Sequence, residues 1–284
     1  MMNPLTPENS LIGGYRIAHG THGAGVPLVL IHGTPSFSFV WRNVVPRLVK
    51  AGLHVHVFDL LGYGHSERPR DPAVDTSVAG QTTVLRQLFD HWELASAHFV
   101  AHDIGGAVAQ RFTLNHPRRV RTLSLIDTVS FDSWPSARTR EQMKAGLDKL
   151  IRAPDAEHRA HFRDWIRTTV ADPDGMAEEV LAAYIDMIAG PVGQSSFFQH
   201  QVAHYDPRYT QELTDRLAEL GERPVQLIWG AEDRWQVVDW AYRLRACIPG
   251  SRLHVLERCG HFAMEDRPEE IVRLVSAFTT EPAA

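Results

Sequence analysis

Phe99-Val100-Ala101-His102-Asp103-Ile104-Gly105-Gly106-Ala107-Val108 is the stretch around which the rest of the chain is read. A short apolar run enters a turn, and a helix-like pattern from Val108 to Leu114 leaves it. The form is small-x-nucleophile-x-Gly, with Ala101 and Gly105 as small residues that let a strand and a helix pass closely and lift one side chain clear of the sheet. Asp103 holds the raised position. A carboxylate with an ordinary pKa of about 4 is ionised at neutral pH and needs no base to become a nucleophile. Its natural target is a tetrahedral carbon, where displacement gives an ester that water can hydrolyse; attack on an ester carbonyl would give a mixed anhydride with little gain. The plain alternative is that Asp103 caps the helix that follows, a position Asp suits.

The surroundings are those of an ordinary globular chain: 284 residues, 44% hydrophobic and 22% charged, enough for one large domain or two small ones. A formal net charge of -5 speaks against an electrostatic nucleic-acid binder, and basic pairs such as Arg118-Arg119 read as solvated surface. Cys247 and Cys259 are too few for a disulfide framework and match no zinc spacing, which fits a reducing compartment. Met1 to Ser10 shows neither a basic nor an apolar leader pattern, and no apolar run has the length of a membrane span. The expectation is a cytoplasmic protein with a small-molecule substrate, no nucleic-acid or membrane partner, no metal and no cofactor.

Strand patterns recur along the chain. Gly14 to His19 alternates weakly, Val26 to Ile31 is a continuous apolar run that ends at His32-Gly33-Thr34-Pro35, and His54 to Phe58 alternates. Between them Phe39 to Lys50 reads as an amphipathic helix with Pro46 as a kink or late start. The loop Asp59 to Ser66 is glycine-rich but lacks the lysine of a phosphate loop and the spacing of a dinucleotide fold. Val78 to Leu94 is helical, and Val120 to Ile126 is a strand closing at Asp127. From about Val129 to Thr214 the strand rhythm gives way to helical patterns carrying Trp134, His158, Trp165, Tyr184, Tyr205 and Tyr209. A strand at Val225 to Trp229, a helix at Val238 to Cys247, a strand at Arg252 to Leu256 and a helix at Pro268 to Phe278 complete the pattern. The expected fold class is α/β, a mostly parallel sheet with helices on both faces. Residues 1–128 and 215–284 form the core, and 129–214 form a helical cap over the strand ends.

Asp103, then Asp233 or Asp127, then His261 follow in the order nucleophile, acid, histidine. Together with His32-Gly33-Thr34-Pro35 and Trp41-Arg42-Asn43, these residues make the chain resemble the aspartate-nucleophile branch of the α/β-hydrolase superfamily. That branch holds epoxide hydrolases, haloalkane dehalogenases and fluoroacetate dehalogenases. The resemblance implies that the N–H groups of Thr34 and Ile104 form the oxyanion hole, with His32 beside the substrate. It implies that His261, in Gly260-His261-Phe262 after the last strand, is the base that activates water in the second half-reaction. It places the acid at Asp233, after the strand that usually carries it; Asp127 is the alternative position and Glu232 a third.

The departures from those families narrow the chemistry. Haloalkane dehalogenases have a tryptophan after the nucleophile, and one large group has an asparagine after His-Gly; both hold the halide. Fluoroacetate dehalogenases clamp the substrate carboxylate with arginines. Here Ile104, Thr34 and Ala107 stand at those positions. Epoxide opening remains by elimination, with the leaving oxygen held by a cap tyrosine: Tyr184, Tyr205 or Tyr209. The alternatives are a dehalogenase whose halide site is built from Trp134, Trp165 or His158, a non-catalytic receptor of the same fold, and a lyase or isomerase in which Asp103 acts only as a base.

Overall fold

The computed structural model describes residues 4–280. Eight strands form one sheet: β1 (Glu8–Ile12), β2 (Tyr15–His22), β3 (Val26–Ile31), β4 (Leu53–Phe58), β5 (Ala97–His102), β6 (Val120–Ile126), β7 (Val225–Gly230) and β8 (Arg252–Leu256). Their order is β1-β2-β4-β3-β5-β6-β7-β8, with β1 and β2 antiparallel to their neighbours and every later pairing parallel. Every residue of β5 and of β7 is buried, as parallel strands covered on both faces require.

Two local expectations shift. The first strand, β1, is absent from the sequence reading because Glu8-Asn9-Ser10 carries no apolar alternation; it exists by pairing with β2 across the Gly13-Gly14 turn. The helix expected over Phe39 to Lys50 is two pieces, a 3-10 turn Ser38–Trp41 and a helix Val45–Lys50. Pro46 lies in the first turn of the second piece, where its missing N–H costs nothing.

Among the described residues, no strand lies between β6 and β7. The main helices there are Ala137–Ala145, Asp155–Arg167, Glu178–Ile188 and Gly190–Ser196, followed by a π turn Phe197–Gln201. This insertion is tied to the sheet domain by polar contacts that are partly or fully buried. Arg42 donates to both oxygens of Glu265 at 2.5 and 2.7 Å, and the hydroxyl of Tyr184 donates to the same carboxylate. Thr76 donates to the carbonyl of His200 at 2.6 Å, and Arg68 to that of Met187 at 2.7 Å. No helix among the described residues is long and apolar enough to cross a membrane.

The sheet also buries histidines that titrate. His56 is only 2% exposed, neither ring nitrogen has a partner, and burial, followed by the like charges of His54, His19 and His22, lowers its pKa to about 4. In the unfolded chain the same ring titrates near 6.5. Below that pH the unfolded state therefore binds more protons, so the contribution of His56 to stability is complete above about pH 6.5 and is lost progressively down to about pH 4. His56→Phe is expected to flatten the fall of the urea-unfolding free energy across that window by up to one proton, about 1.4 kcal/mol per pH unit. An unchanged slope would assign the acid sensitivity to other groups.

Candidate functional site

Asp103 follows the last residue of β5 and precedes the helix Ile104–Asn115, with φ 52° and ψ -124°. That conformation costs a non-glycine residue on the order of 1–3 kcal/mol and persists only where the surroundings enforce it. Close backbone approach enforces it here. A Cβ on Gly105 would lie 2.3 Å from the carbonyl oxygen of His32, and one on Gly33 would lie 2.4 Å from the Cβ of Asp103. The two glycines let the β3 turn and the start of the helix close around the carboxylate. The side chain of Asp103 makes no capping hydrogen bond to its helix, so the capping alternative fails.

The Thr34 N–H donates to Asp103 Oδ1 at 2.8 Å, and the nearby Ile104 N–H helps to lower the carboxyl's pKa. Oδ2 lies 3.6 Å from Nε2 of His261. On its other side, His261 Nδ1 donates to Asp233 Oδ2 at 2.8 Å. Asp233 Oδ1 accepts the N–H groups of Trp235 and Gln236 at 2.7 and 2.9 Å, which orients the acid rigidly. Burial opposes the charge on both members of the central pair, but the pair's own attraction outweighs it. The carboxyl of Asp103 is held below its usual pKa range, and His261, between Asp233 and Asp103, is raised well above its own.

Asp127 lies beside this group without touching His261 through a hydrogen bond. Its Oδ1 accepts the Gly230 N–H at 2.8 Å, and its Oδ2 is buried with no partner. Burial first, and the negative charge of Asp233 second, raise its pKa well above the usual carboxyl range. Glu232 is exposed.

Other expected site residues scatter. His32 is fully buried and both ring nitrogens are engaged: Nε2 accepts the Leu60 N–H at 3.0 Å, so Nδ1 carries the proton and donates to the Gly33 carbonyl at 2.9 Å. It braces the turn and does not meet substrate. Tyr184 is spent on Glu265 in the core, and Tyr209 takes a hydrogen bond from Arg208 and packs under Arg111 away from the cavity. Both are corrected as candidates for the leaving group. Tyr205 remains: its hydroxyl pairs with Thr34 Oγ1 and lies near that of Tyr63, its ring packs on Trp134 at 4.7 Å, and it lines the cavity that contains Asp103. Trp134 and Trp165 line the same cavity of about 330 Å³. His158 instead hydrogen-bonds the Ile188 carbonyl at 2.7 Å.

Three residues of the site are missing from the sequence reading. Trp235 stacks on His261 at 5.2 Å and on Trp165 at 4.3 Å, a ladder from sheet loop to insertion that suits a protonated imidazole. His102, whose pKa is pushed down to about 3 chiefly by burial, is neutral and hydrogen-bonds the His261 carbonyl at 2.9 Å. Tyr63 supports Tyr205 from the glycine-rich loop. Only Trp235 could have been flagged, from its place two residues after the candidate acid. No group of three or more His, Cys, Asp or Glu among the described residues could hold a metal ion.

Residues 28–274 match the sequence profile of the Alpha/beta hydrolase family. The chain belongs to that family. A crystal structure of an alpha/beta hydrolase fold protein from Burkholderia ambifaria superimposes with a TM-score of 0.89 at 33% identity, covering 97% of this chain and 98% of that one. A 2-hydroxy-6-oxononadienedioate/2-hydroxy-6-oxononatrienedioate hydrolase of Cupriavidus pinatubonensis is 30% identical over 93% of this chain and 90% of its own length. A cis-3-alkyl-4-alkyloxetan-2-one decarboxylase of Shewanella oneidensis is 24% identical over 94% of this chain and 86% of its own.

Proposed function

We propose that the protein opens an epoxide to a diol through an ester on Asp103. The observation that carries this reading is the pair of roles given to one carboxylate: Oδ1 is held by the Thr34 N–H while Oδ2 faces His261, which is itself backed by Asp233. In the first step Oδ2 attacks a ring carbon, the carbon–oxygen bond breaks, and the alkoxide takes the Tyr205 hydroxyl proton, which the His261 imidazolium then replaces to leave a neutral imidazole. Burial raises the pKa of Tyr205 and keeps its hydroxyl protonated beside Thr34, where it is placed to stabilise that oxygen.

The ester then changes His261. Esterification neutralises one of the two carboxylates that hold the imidazole protonated, so its pKa falls and it becomes a base for water. Water adds to the ester carbonyl, whose developing charge falls on Oδ1 and the N–H donors already in place there. Collapse returns the Asp103 carboxylate, the imidazolium and the diol. Residues 129–214 act in this scheme as a lid that excludes bulk water. The Shewanella relative is named for an alkyl oxetanone, another strained oxygen ring, which agrees in kind with the ring proposed here.

Tyr205→Phe is expected to lower the rate of diol formation about a hundredfold, as losing one oxyanion donor does, with little change in folding. The dehalogenase reading rests on a different observation: the indoles of Trp134 and Trp165 both line the Asp103 cavity, a pair of ring N–H groups of the kind that can hold a halide. A parallel screen of epoxides and organohalides decides between them. Halide release without diol formation, or full activity in Tyr205→Phe, would replace the epoxide reading.

A further inference from the structure

His261 lies on the loop between β8 and the short helix Ala263–Asp266, and the backbone on either side of it is gripped from the insertion. Asp266 turns its side chain back over this loop. Its Oδ2 accepts two N–H groups: that of Gly260, directly before His261, at 2.7 Å, and that of Ala171, in the insertion beyond the helix Asp155–Arg167, at 2.9 Å. Directly after His261, the Phe262 N–H donates to the carbonyl of Thr169 at 2.7 Å. Trp235, stacked on the imidazole, donates its indole N–H to Thr168 Oγ1 at 2.9 Å.

Residues Thr168 to Ala171 of the insertion thus reach the histidine and its loop by three separate routes. Gly260 allows the approach. A Cβ there would lie 2.7 Å from the Thr169 carbonyl oxygen and 3.0 Å from the Ala171 nitrogen, so the two backbones pass with no room for a side chain. From the sheet side, His102 Nε2 donates to the His261 carbonyl at 2.9 Å. Asp266 bonds the loop and the insertion through one oxygen, so neither can shift against the other without losing a hydrogen bond. The separation that this mount has to hold is the 3.6 Å between His261 Nε2 and Asp103 Oδ2. A misplacement of about 1 Å at a reacting group can cost on the order of a hundredfold in rate.

We propose that Asp266 is a positioning residue: by clasping Gly260 to Ala171 it sets the ring of His261 against Asp103, and it makes segment 168–171 of the insertion part of the mount of the catalytic histidine. The alignment rests on these contacts alone, whereas its effect on rate rests on the Asp103 ester of the reaction proposed above.

The test uses the full chain and two readings. The first needs no substrate: the proton NMR signal of the His261 Nδ1–H, hydrogen-bonded to Asp233 Oδ2, reports how firmly the ring is held. Asp266→Ala leaves both N–H groups without their acceptor and should broaden that signal or speed its exchange with water. Asp266→Asn keeps an oxygen that can accept both and should restore it. The second reading is a single turnover with an epoxide, followed by intact-protein mass. In Asp266→Ala, esterification of Asp103 should still reach one equivalent, while hydrolysis of the ester slows on the order of a hundredfold, with most of the rate returned in Asp266→Asn. A folded Asp266→Ala whose proton signal is unchanged, or whose two half-reactions slow alike, overturns the proposal, because a carboxyl that only stabilises the fold gives those results. If no epoxide reacts, a signal lost in Asp266→Ala and restored in Asp266→Asn still supports the clasp, and the reaction reading alone fails. Should Asp266→Ala not fold, Thr168→Val, which removes the acceptor of the Trp235 indole from the insertion side, decides: a broadened signal supports the coupling, and one as sharp as in the unsubstituted protein overturns it.

Discussion

His261→Gln is expected to react once and stop, leaving Asp103 esterified and the protein heavier by one substrate. The first half-reaction needs only the Asp103 carboxylate, poised by the Thr34 N–H at 2.8 Å, and a proton for the alkoxide. The second needs a base 3.6 Å from the carboxylate, and glutamine in that place cannot accept a proton from water. Loss of a general base costs roughly 10²–10⁴-fold, so steady-state diol formation should fall by that much while a burst of one equivalent survives. Asp103→Asn should show no burst at all, since a neutral amide is a poor nucleophile. In heavy-oxygen water, a single turnover of the unsubstituted protein should yield product whose new oxygen comes from Asp103, with the solvent label appearing in the carboxylate. Intact-protein mass spectrometry and the label position are the measurements. Solvent oxygen in the first product, with no adduct in His261→Gln, would make Asp103 a base or an orienting group.

Asp233→Asn is expected to cost about 10⁴-fold, the size of effect seen when a triad acid becomes an amide and the histidine is left in the wrong tautomer. The reason is local. Asp233 Oδ2 is the acceptor for His261 Nδ1 at 2.8 Å, whereas an asparagine would offer an N–H there or turn its oxygen only by breaking the pair of backbone bonds to Trp235 and Gln236. Asp127→Asn should be nearly silent by comparison, within about tenfold. Burial and the neighbouring Asp233 both favour the uncharged form of Asp127, which an amide resembles, and an amide oxygen can still accept the Gly230 N–H. Single-turnover rates of ester hydrolysis in the two variants give the order directly. If Asp127→Asn proved the slower, Asp127 would be the acid and the hydrogen bond of Asp233 would be structural.

Both assignments were open in the sequence for the same reason. Asp127 and Asp233 each close a parallel strand, and a strand end with an aspartate looks alike in one dimension whichever carboxylate reaches the histidine. The tyrosines show the same limit. Tyr184, Tyr205 and Tyr209 occupy equivalent helical surroundings in the sequence, yet one is bonded to Glu265, one lies beside Thr34 and one packs under Arg111. His32 stands next to a glycine turn that does touch the nucleophile, but its own ring is consumed by two backbone groups.

What the sequence determined by itself was whatever depends on neighbours in the chain. Continuous apolar runs specify buried parallel strands, small residues around Asp103 specify the sharp strand-to-helix turn, and loss of the strand rhythm after Val129 marks where helices begin. Those features follow from backbone geometry and burial periods of a few residues. Only the tertiary structure decided which carboxylate serves His261, which tyrosine meets the site, and that Trp235, His102 and Tyr63 belong to it. Those choices turn on separations of a few ångströms between groups tens to more than a hundred residues apart. A local pattern holds no information on such distances, because they are set by how the sheet twists and how the insertion settles on it.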